Sequence, residues 1–194
     1  MTLADLDINK LYSYADYYKW QFEERVELIR GKIFKMSPGA SFNHQVLAGE
    51  IYAELRGFLR KKDCKAFIAP FDVRFPRKSN DDKEIFTVLQ PDVCVVCDKA
   101  KYDKRGCIGA PDIVVEVLSP SNNEKELKNK FDIYEESGVK EYWIVSPQDK
   151  TFLVNTLVNG RYVTARPMVS GDVLTTQVLP GFSLDLKELF DTIE

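Results

Sequence analysis

Two segments, LQPDVCVVCD at 89–98 and PDIVVEVLS at 111–119, are rich in β-branched residues and apolar at consecutive positions. Successive side chains of a strand point to opposite faces, so strands that are apolar on both faces belong inside a sheet covered on both sides. A third β-rich segment, CKAFIAPFDVRF at 64–75, precedes them with no strong helical pattern in between. Helical spacing flanks this trio. Leu47, Ile51, Leu55, Phe58 and Leu59 recur every three or four residues between Ser41 and Lys62, which predicts the longest helix of the chain. A second helix is predicted over 123–137, stopped by Gly138 and followed by the strand EYWIV. Helix, three strands, helix, strand is the order of one α/β domain spanning 1–194 and built on a mixed sheet.

Additions to this core are also legible. VELIRGKIFKMSP reads as an early hairpin, and TFLVNTLV, Asn159 and Gly160, and RYVTARP read as a late one with a two-residue turn. Leu11, Tyr14, Ala15, Tyr18 and Phe22 predict a short amphipathic helix over 9–22. The polar run SNDDKE at 79–84 reads as a loop.

With 44% hydrophobic and 29% charged residues, the chain has the make-up of a packed globular protein rather than a disordered one. Its 27 basic and 30 acidic side chains give a net charge of -3, which excludes a generally basic nucleic-acid-coating surface. A polyanion would have to be met locally, at Arg60, Lys61 and Lys62, at Arg74, Arg77 and Lys78, or at Lys99, Lys101, Lys104 and Arg105; charge runs of this kind are more often solvated loop or helix faces. No run of about 18 apolar residues occurs, and the start lacks the basic and then apolar regions of a signal peptide, so a soluble cytoplasmic protein with no membrane association is expected. Cys64, Cys94, Cys97 and Cys107 are accordingly expected to be reduced thiols. Cys94 and Cys97 have metal-like spacing, but within a strand they point to opposite faces, so neither a metal nor a disulfide is expected of the four.

The anomalies are acids inside apolar strands, because an ionised carboxylate is costly to bury unless a cation or donors compensate it. Asp92 opens VCVVC, and Glu116 interrupts IVVEV, sharing one strand face with Asp112, Val114 and Leu118. Were the two strands neighbours, the carboxylates would converge on a hard divalent cation, with Mg²⁺ as the natural occupant. The structural alternative is that Asp92 caps a turn and Glu116 pairs with a buried Arg or Lys. Among the lysines of the helix at 123–137, Lys130 lies about 60° from the centre of the apolar stripe of Leu127, Phe131 and Tyr134, whereas Lys125 and Lys128 point away or aside. Lys130 is either a site residue or a side chain covering apolar surface. His44, the single histidine, opens the long helix and suits either a structural role or contact with a phosphate. Glu27 in VELIRG is a third acid with apolar neighbours, either an additional metal or water ligand or an exposed hairpin residue.

LQPDVCVV, GAPDIVVEVLSPSN, KFDIYEESGVKEYWIVSP and GFSLDLKELF, spread from about Tyr14 to Phe190, resemble the Uma-type "putative restriction endonuclease" family of the PD-(D/E)XK nuclease superfamily. The resemblance implies a restriction-endonuclease-like core in the order read above. It also implies a Mg²⁺ site, with Mn²⁺ as a substitute, held by Asp92 and Glu116. The superfamily lysine two residues after the second acid is replaced here by Leu118, and the family's usual lysine on the following helix maps onto Lys130. Glu27 and His44 match the family's acid in the early hairpin and its histidine at the start of the long helix, as accessory residues. Two functions follow: a Mg²⁺-dependent endonuclease hydrolysing DNA, or a catalytically silent nuclease-fold domain that binds DNA or a protein partner. A homodimer would suit cleavage of both strands of a duplex.

Overall fold

The computed structural model describes residues 3–36, 41–119 and 124–194. The first half of the chain contributes α1 (Tyr14–Tyr17), β1 (Val26–Ile29), β2 (Lys32–Lys35), α2 (Phe42–Phe58), β3 (Lys65–Ile68), β4 (Val73–Arg74), β5 (Val88–Leu89) and β6 (Val93–Val96). Then follow β7 (Tyr102–Asp103), β8 (Gly106–Ile108), β9 (Ile113–Val117), α3 (Glu124–Ser137), β10 (Glu141–Ser146), β11 (Thr151–Val158) and β12 (Arg161–Thr164). β13 (Met168–Val169), β14 (Val173–Thr175), β15 (Ser183–Asp185) and α4 (Leu186–Asp191) complete the chain.

The central sheet runs β12-β11-β10-β9-β6-β3, with β13 added on β11. Only β9 and β10 are parallel, and α3 makes the crossover between them. β6 and β9 are buried along their whole length, as strands apolar on both faces must be. Ile113, Val115 and Val117 pack against Leu47, Ile51 and Leu55 of α2. Val114 on the opposite face joins Ile133 and Tyr134 of α3 and residues of a second sheet, ordered β2-β1-β5-β4-β8-β7. The core is therefore a mixed sheet between α2 on one side and α3 with the second sheet on the other, in the order that the sequence predicts.

Two of the predicted strands each divide between the sheets. CKAFIAPFDVRF supplies β3 to the central sheet and β4 to the second, with the cis Ala69–Pro70 bond between them. LQPDVCVVCD does the reverse, passing from β5 to β6 through Gln90 and Pro91. Proline has no N–H to offer a ladder, so it stands naturally where a chain leaves one sheet for another. Both crossings lie at the same place, since the Ala69 N–H donates to the Asp92 carbonyl at 3.0 Å.

The N-terminal helix is much shorter than expected over 9–22, covering only Tyr14–Tyr17. The chain before it is tied by the Tyr12 N–H to the Gly31 carbonyl, and its own first N–H groups, of Tyr14 and Ala15, donate to the carbonyls of Ile85 and Asp82. These bonds bury Tyr12 and Tyr14 while leaving Leu11 and Tyr18 exposed, so the apolar spacing there does not mark a buried helix face. The hairpins at 26–35 and 151–164 form as predicted, and Asn159 and Gly160 both take positive φ in the turn of the second.

Gly106 is a point of close approach. Its φ is +124°, and an added Cβ would stand 2.2 Å from the Asp72 carbonyl oxygen, which accepts the Cys107 N–H. Backbone meets backbone here, and neither side yields cheaply. Gly106→Ala is expected to cost about 2–4 kcal/mol. Thermal unfolding should register this as a loss of roughly 2–4 °C per kcal/mol for a chain of this size.

Candidate active site

The β6–β9 ladder ends with Val93 opposite Val115. One step further Asp92 stands level with Glu116. There the Asp92 carboxylate, rather than its backbone, takes the next amide of β9: Oδ2 accepts the Val117 N–H at 2.8 Å. The same oxygen lies 3.2 Å from His44 Nε2. His44 is placed by the start of α2, where the Ser41 hydroxyl caps the helix by accepting the His44 N–H.

Glu116 is buried on the α3 side of the sheet. Both of its carboxylate oxygens face Lys130 Nζ, at 3.0 and 3.1 Å, and Oε1 also accepts the Tyr134 hydroxyl at 2.6 Å. Lys130 and Tyr134 are four residues apart on α3, one above the other on its inward face, while Lys125 and Lys128 are exposed. Glu27, buried in β1, accepts the Gln90 N–H at 2.8 Å and lies 3.5 Å from Lys130 Nζ. The corner where β5 passes into β6 therefore gathers all five residues singled out in the sequence: Glu27, His44, Asp92, Glu116 and Lys130. Glu27 is not the exposed hairpin residue of the alternative reading.

The plain structural roles are filled as well. Glu116 does pair with a buried lysine, and Asp92 does cap a backbone amide. The electrostatics nevertheless differ from those of a simple ion pair. The Glu116 carboxyl is pushed up to about 7, by burial above all and by the charges of Asp92 and Glu27, against the opposing pull of Lys130. Burial disfavours the Lys130 ammonium, yet Glu116 and Glu27 outweigh that and hold its pKa above the usual lysine value. Burial likewise opposes charging of His44, while its hydrogen bond to Asp92 and the charges of Asp92 and Glu116 raise its pKa above that of a free imidazole. Three acids thus share one buried ammonium and one imidazole.

Among the described residues, no three His, Cys, Asp or Glu side chains form a ready-made metal cluster. Asp92 and Glu116 are oxygen donors standing level across two strands, a set that suits a hard ion keeping water and substrate oxygens for its remaining positions. The cysteines do not add to it. Cys94 and Cys107 are buried thiols, and burial raises both of their pKa values. Contrary to expectation, Cys64 and Cys97 form a disulfide. The antiparallel pairing of Lys65 with Val96 sets these two cysteines opposite each other at the next position of the β3–β6 ladder.

Four members of the basic clusters are committed to acids within the chain. Arg74 is buried, bonded to the Cys107 carbonyl and to Asp103, whereas Arg105 pairs with Asp82, Arg77 with Glu136 and Lys99 with Asp63. Tyr134 and Gln90 were not anticipated as site residues. The four-residue spacing from Lys130 marks Tyr134 in retrospect; Gln90 carries no such signal.

No helix among the described residues is long and apolar enough to cross a membrane. The chain is 29% identical over 134 residues to the uncharacterized protein slr1290 of Synechocystis sp. (strain ATCC 27184 / PCC 6803 / Kazusa), a match covering 68% of this chain and 66% of that relative, just under two thirds of its length. In three dimensions it is similar to a crystal structure described as "a putative nuclease belonging to DUF820" from Anabaena variabilis ATCC 29413, with a TM-score of 0.72 over 93% of this chain and 98% of the other. At 19% identity that likeness shows a shared fold. The family model described as "Putative restriction endonuclease" matches residues 14–187, nearly the whole chain, and the protein belongs to this family, Uma2.

Proposed function

We propose that this protein is a Mg²⁺-dependent endonuclease that hydrolyses DNA phosphodiester bonds, with Asp92 and Glu116 holding the ion and Lys130 acting beside it. The observation that carries this reading is the placement of Asp92 level with Glu116 at the end of the β6–β9 ladder, with the Lys130 ammonium against both Glu116 oxygens. When bound, Mg²⁺ supplies polarisation of a phosphoryl oxygen and a lowered pKa for water. The chain's own groups do the positioning. The Val117 N–H and His44 fix the Asp92 carboxylate, while Tyr134 and Lys130 fix that of Glu116. Lys130 carries a permanent positive charge beside the place where negative charge develops on phosphate, and a charged His44 adds to it. Glu27 shares Lys130 with Glu116 and so keeps the ammonium charged and in place.

Calorimetric titration with Mg²⁺ or Mn²⁺, paired with plasmid nicking, tests this reading. Ion binding together with ion-dependent nicking is expected. DNA retention without cleavage would instead favour a silent binding domain, for which the engagement of both Glu116 oxygens by Lys130 is the supporting observation.

A pH dependence follows from Glu116. A carboxylate ligand must be deprotonated to bind a metal ion. With its pKa pushed up to about 7, Glu116 is protonated below that pH, so protons compete with the ion there and not above it. Mn²⁺ affinity measured by calorimetry should be level at about pH 8 and fall roughly tenfold per unit below about pH 7. An affinity unchanged between these conditions would exclude Glu116 as a ligand.

A further inference from the structure

The run YYKWQF at 17–22 leads out of α1 and leaves several aromatic rings at the surface beside the site. Tyr18, Trp20 and Phe22 line an open groove whose other walls include Glu24, Arg25 and Gln90. Tyr18 is 59% exposed, and Trp20 and Phe22 are half-buried with ring centroids 5.3 Å apart. Trp20 is braced from behind, edge-on against the buried Tyr12 ring at 5.2 Å. Apolar rings left partly wet at one spot mark a surface that something covers.

Two observations say what covers it. First, the groove adjoins the site through Gln90. Gln90, which forms part of its wall, donates its backbone N–H to Glu27 and stands two residues before Asp92. Second, the groove carries an available positive charge. Arg25 donates from Nε and Nη2 to the neutral side-chain oxygen of Gln90, and among the described residues it forms no ion pair, whereas Glu24 is paired with Lys35. Flat rings with a guanidinium beside them, next to a place for a phosphate, are the ingredients of single-strand nucleic-acid binding, in which bases stack on aromatic faces and cations follow the backbone. In an unbroken duplex the base faces are already stacked on one another and unavailable. The net charge of -3 points the same way, since a chain without a long basic surface gains little from coating duplex phosphates.

We propose that the groove of Tyr18, Trp20 and Phe22, with Arg25, binds an unpaired nucleobase of the strand whose phosphate lies at Asp92 and Glu116, so that the substrate is DNA with single-stranded character. This rests on the nuclease reading and narrows its substrate class. Trp20 provides the readout, because Trp143, the other tryptophan, is fully buried in the core.

The test uses the full chain without divalent ions, so that nothing is cut, and follows tryptophan fluorescence together with anisotropy of labelled oligothymidylate and of a blunt duplex of equal length. Oligothymidylate should quench wild-type fluorescence and bind more tightly than duplex. Trp20→Leu should weaken that binding about tenfold, as expected for losing one stacked base, and Trp20→Phe should keep most of it. Phe22→Leu carries the same expectation as Trp20→Leu should the latter not fold. Arg25→Gln should weaken single-strand binding and reduce its salt dependence. Tighter binding of duplex, or single-strand affinity unmoved in Trp20→Leu and Phe22→Leu, overturns the inference; if plasmid is still nicked, the nuclease reading survives. Quenching by a proline-rich peptide but not by oligothymidylate would assign the groove to a protein partner and overturn it as well. Binding of neither DNA overturns the inference, and with no nicking it overturns the nuclease reading as well.

Discussion

Lys130→Met should lose DNA cleavage by about a hundredfold or more and should also lower the stability of the protein. The first effect follows from the charge. One preorganised donor placed against the phosphate is worth about 3 kcal/mol in the transition state. The second follows from burial. Lys130 Nζ lies 3.0 and 3.1 Å from the Glu116 oxygens and 3.5 Å from Glu27, and all three side chains are buried. Methionine fills the volume but leaves two buried carboxylates without their shared cation, a change that typically costs about 3–5 kcal/mol. Part of that cost can be relieved by protonation. Glu116 is already pushed up to about 7, mostly by burial, and Lys130 is the principal influence pulling it down. Without the lysine its folded-state pKa rises further above the ordinary value of 4.5. A carboxyl whose pKa is raised on folding binds more protons folded than unfolded, so stability falls as pH rises through that window. The deficit of Lys130→Met against wild type should therefore be largest in mild alkali and shrink as pH drops through neutrality. Thermal melts at several pH values, beside plasmid nicking, read out both effects, with the exposed Lys128→Met as a near-neutral control. Undiminished cleavage by Lys130→Met would move the catalytic role elsewhere.

The same residue shows how far the sequence reaches. Lys130 was distinguishable from Lys125 and Lys128 because helical geometry fixes relative directions around an axis, and the structure sets it inward and the other two outward. The apolar runs at 93–96 and 113–117 announced two buried strands, and the acid within the second could be assigned its face by counting in twos. What could not be read was anything that depends on which strand meets which. The split of 64–75 and 89–98 between two sheets leaves no local trace, since both halves of each segment are equally suited to extended structure. The Cys64–Cys97 pairing is a matter of β3–β6 register, which spacing within one strand does not reveal. Tyr14 and Tyr18 do share the single helical turn that forms, but the Tyr12 N–H is bonded to the Gly31 carbonyl and pins the chain before it, so the helical spacing that starts at Leu11 and runs on to Phe22 misled. The site itself was legible as a set of residue types. Its arrangement, a corner where two sheets exchange strands, was not.

Asp92→Asn tests that arrangement most directly, because the Val117 N–H and His44 converge on the one carboxylate that the proposed ion would also use. The amide that replaces it keeps an oxygen able to accept the Val117 N–H, so the end of the β6–β9 ladder should hold and the melting temperature should change little. What disappears is the charge. With one of its two carboxylates gone, the proposed ion loses its main anchor outside Glu116, and calorimetry should show divalent affinity reduced by about a hundredfold or more. Metal polarisation of a phosphoryl oxygen is worth several kcal/mol, so cleavage should fall roughly a thousandfold. His44 supplies a readout independent of activity. Its pKa stands above the free-imidazole value because the hydrogen bond to Asp92 and the charges of Asp92 and Glu116 outweigh the burial that opposes charging. Removal of the first two of these supports should drop the His44 pKa. As the chain has a single histidine, one imidazole resonance followed by NMR across pH reports it without ambiguity. Lost cleavage with an unmoved histidine would mean that Asp92 does not stand against the imidazole, and the geometry of the corner would be wrong. A lowered histidine pKa with cleavage intact would leave the corner as drawn and place the chemistry elsewhere. Only the loss of metal affinity, cleavage and imidazole basicity together fits a carboxylate that α2 positions and a divalent ion uses.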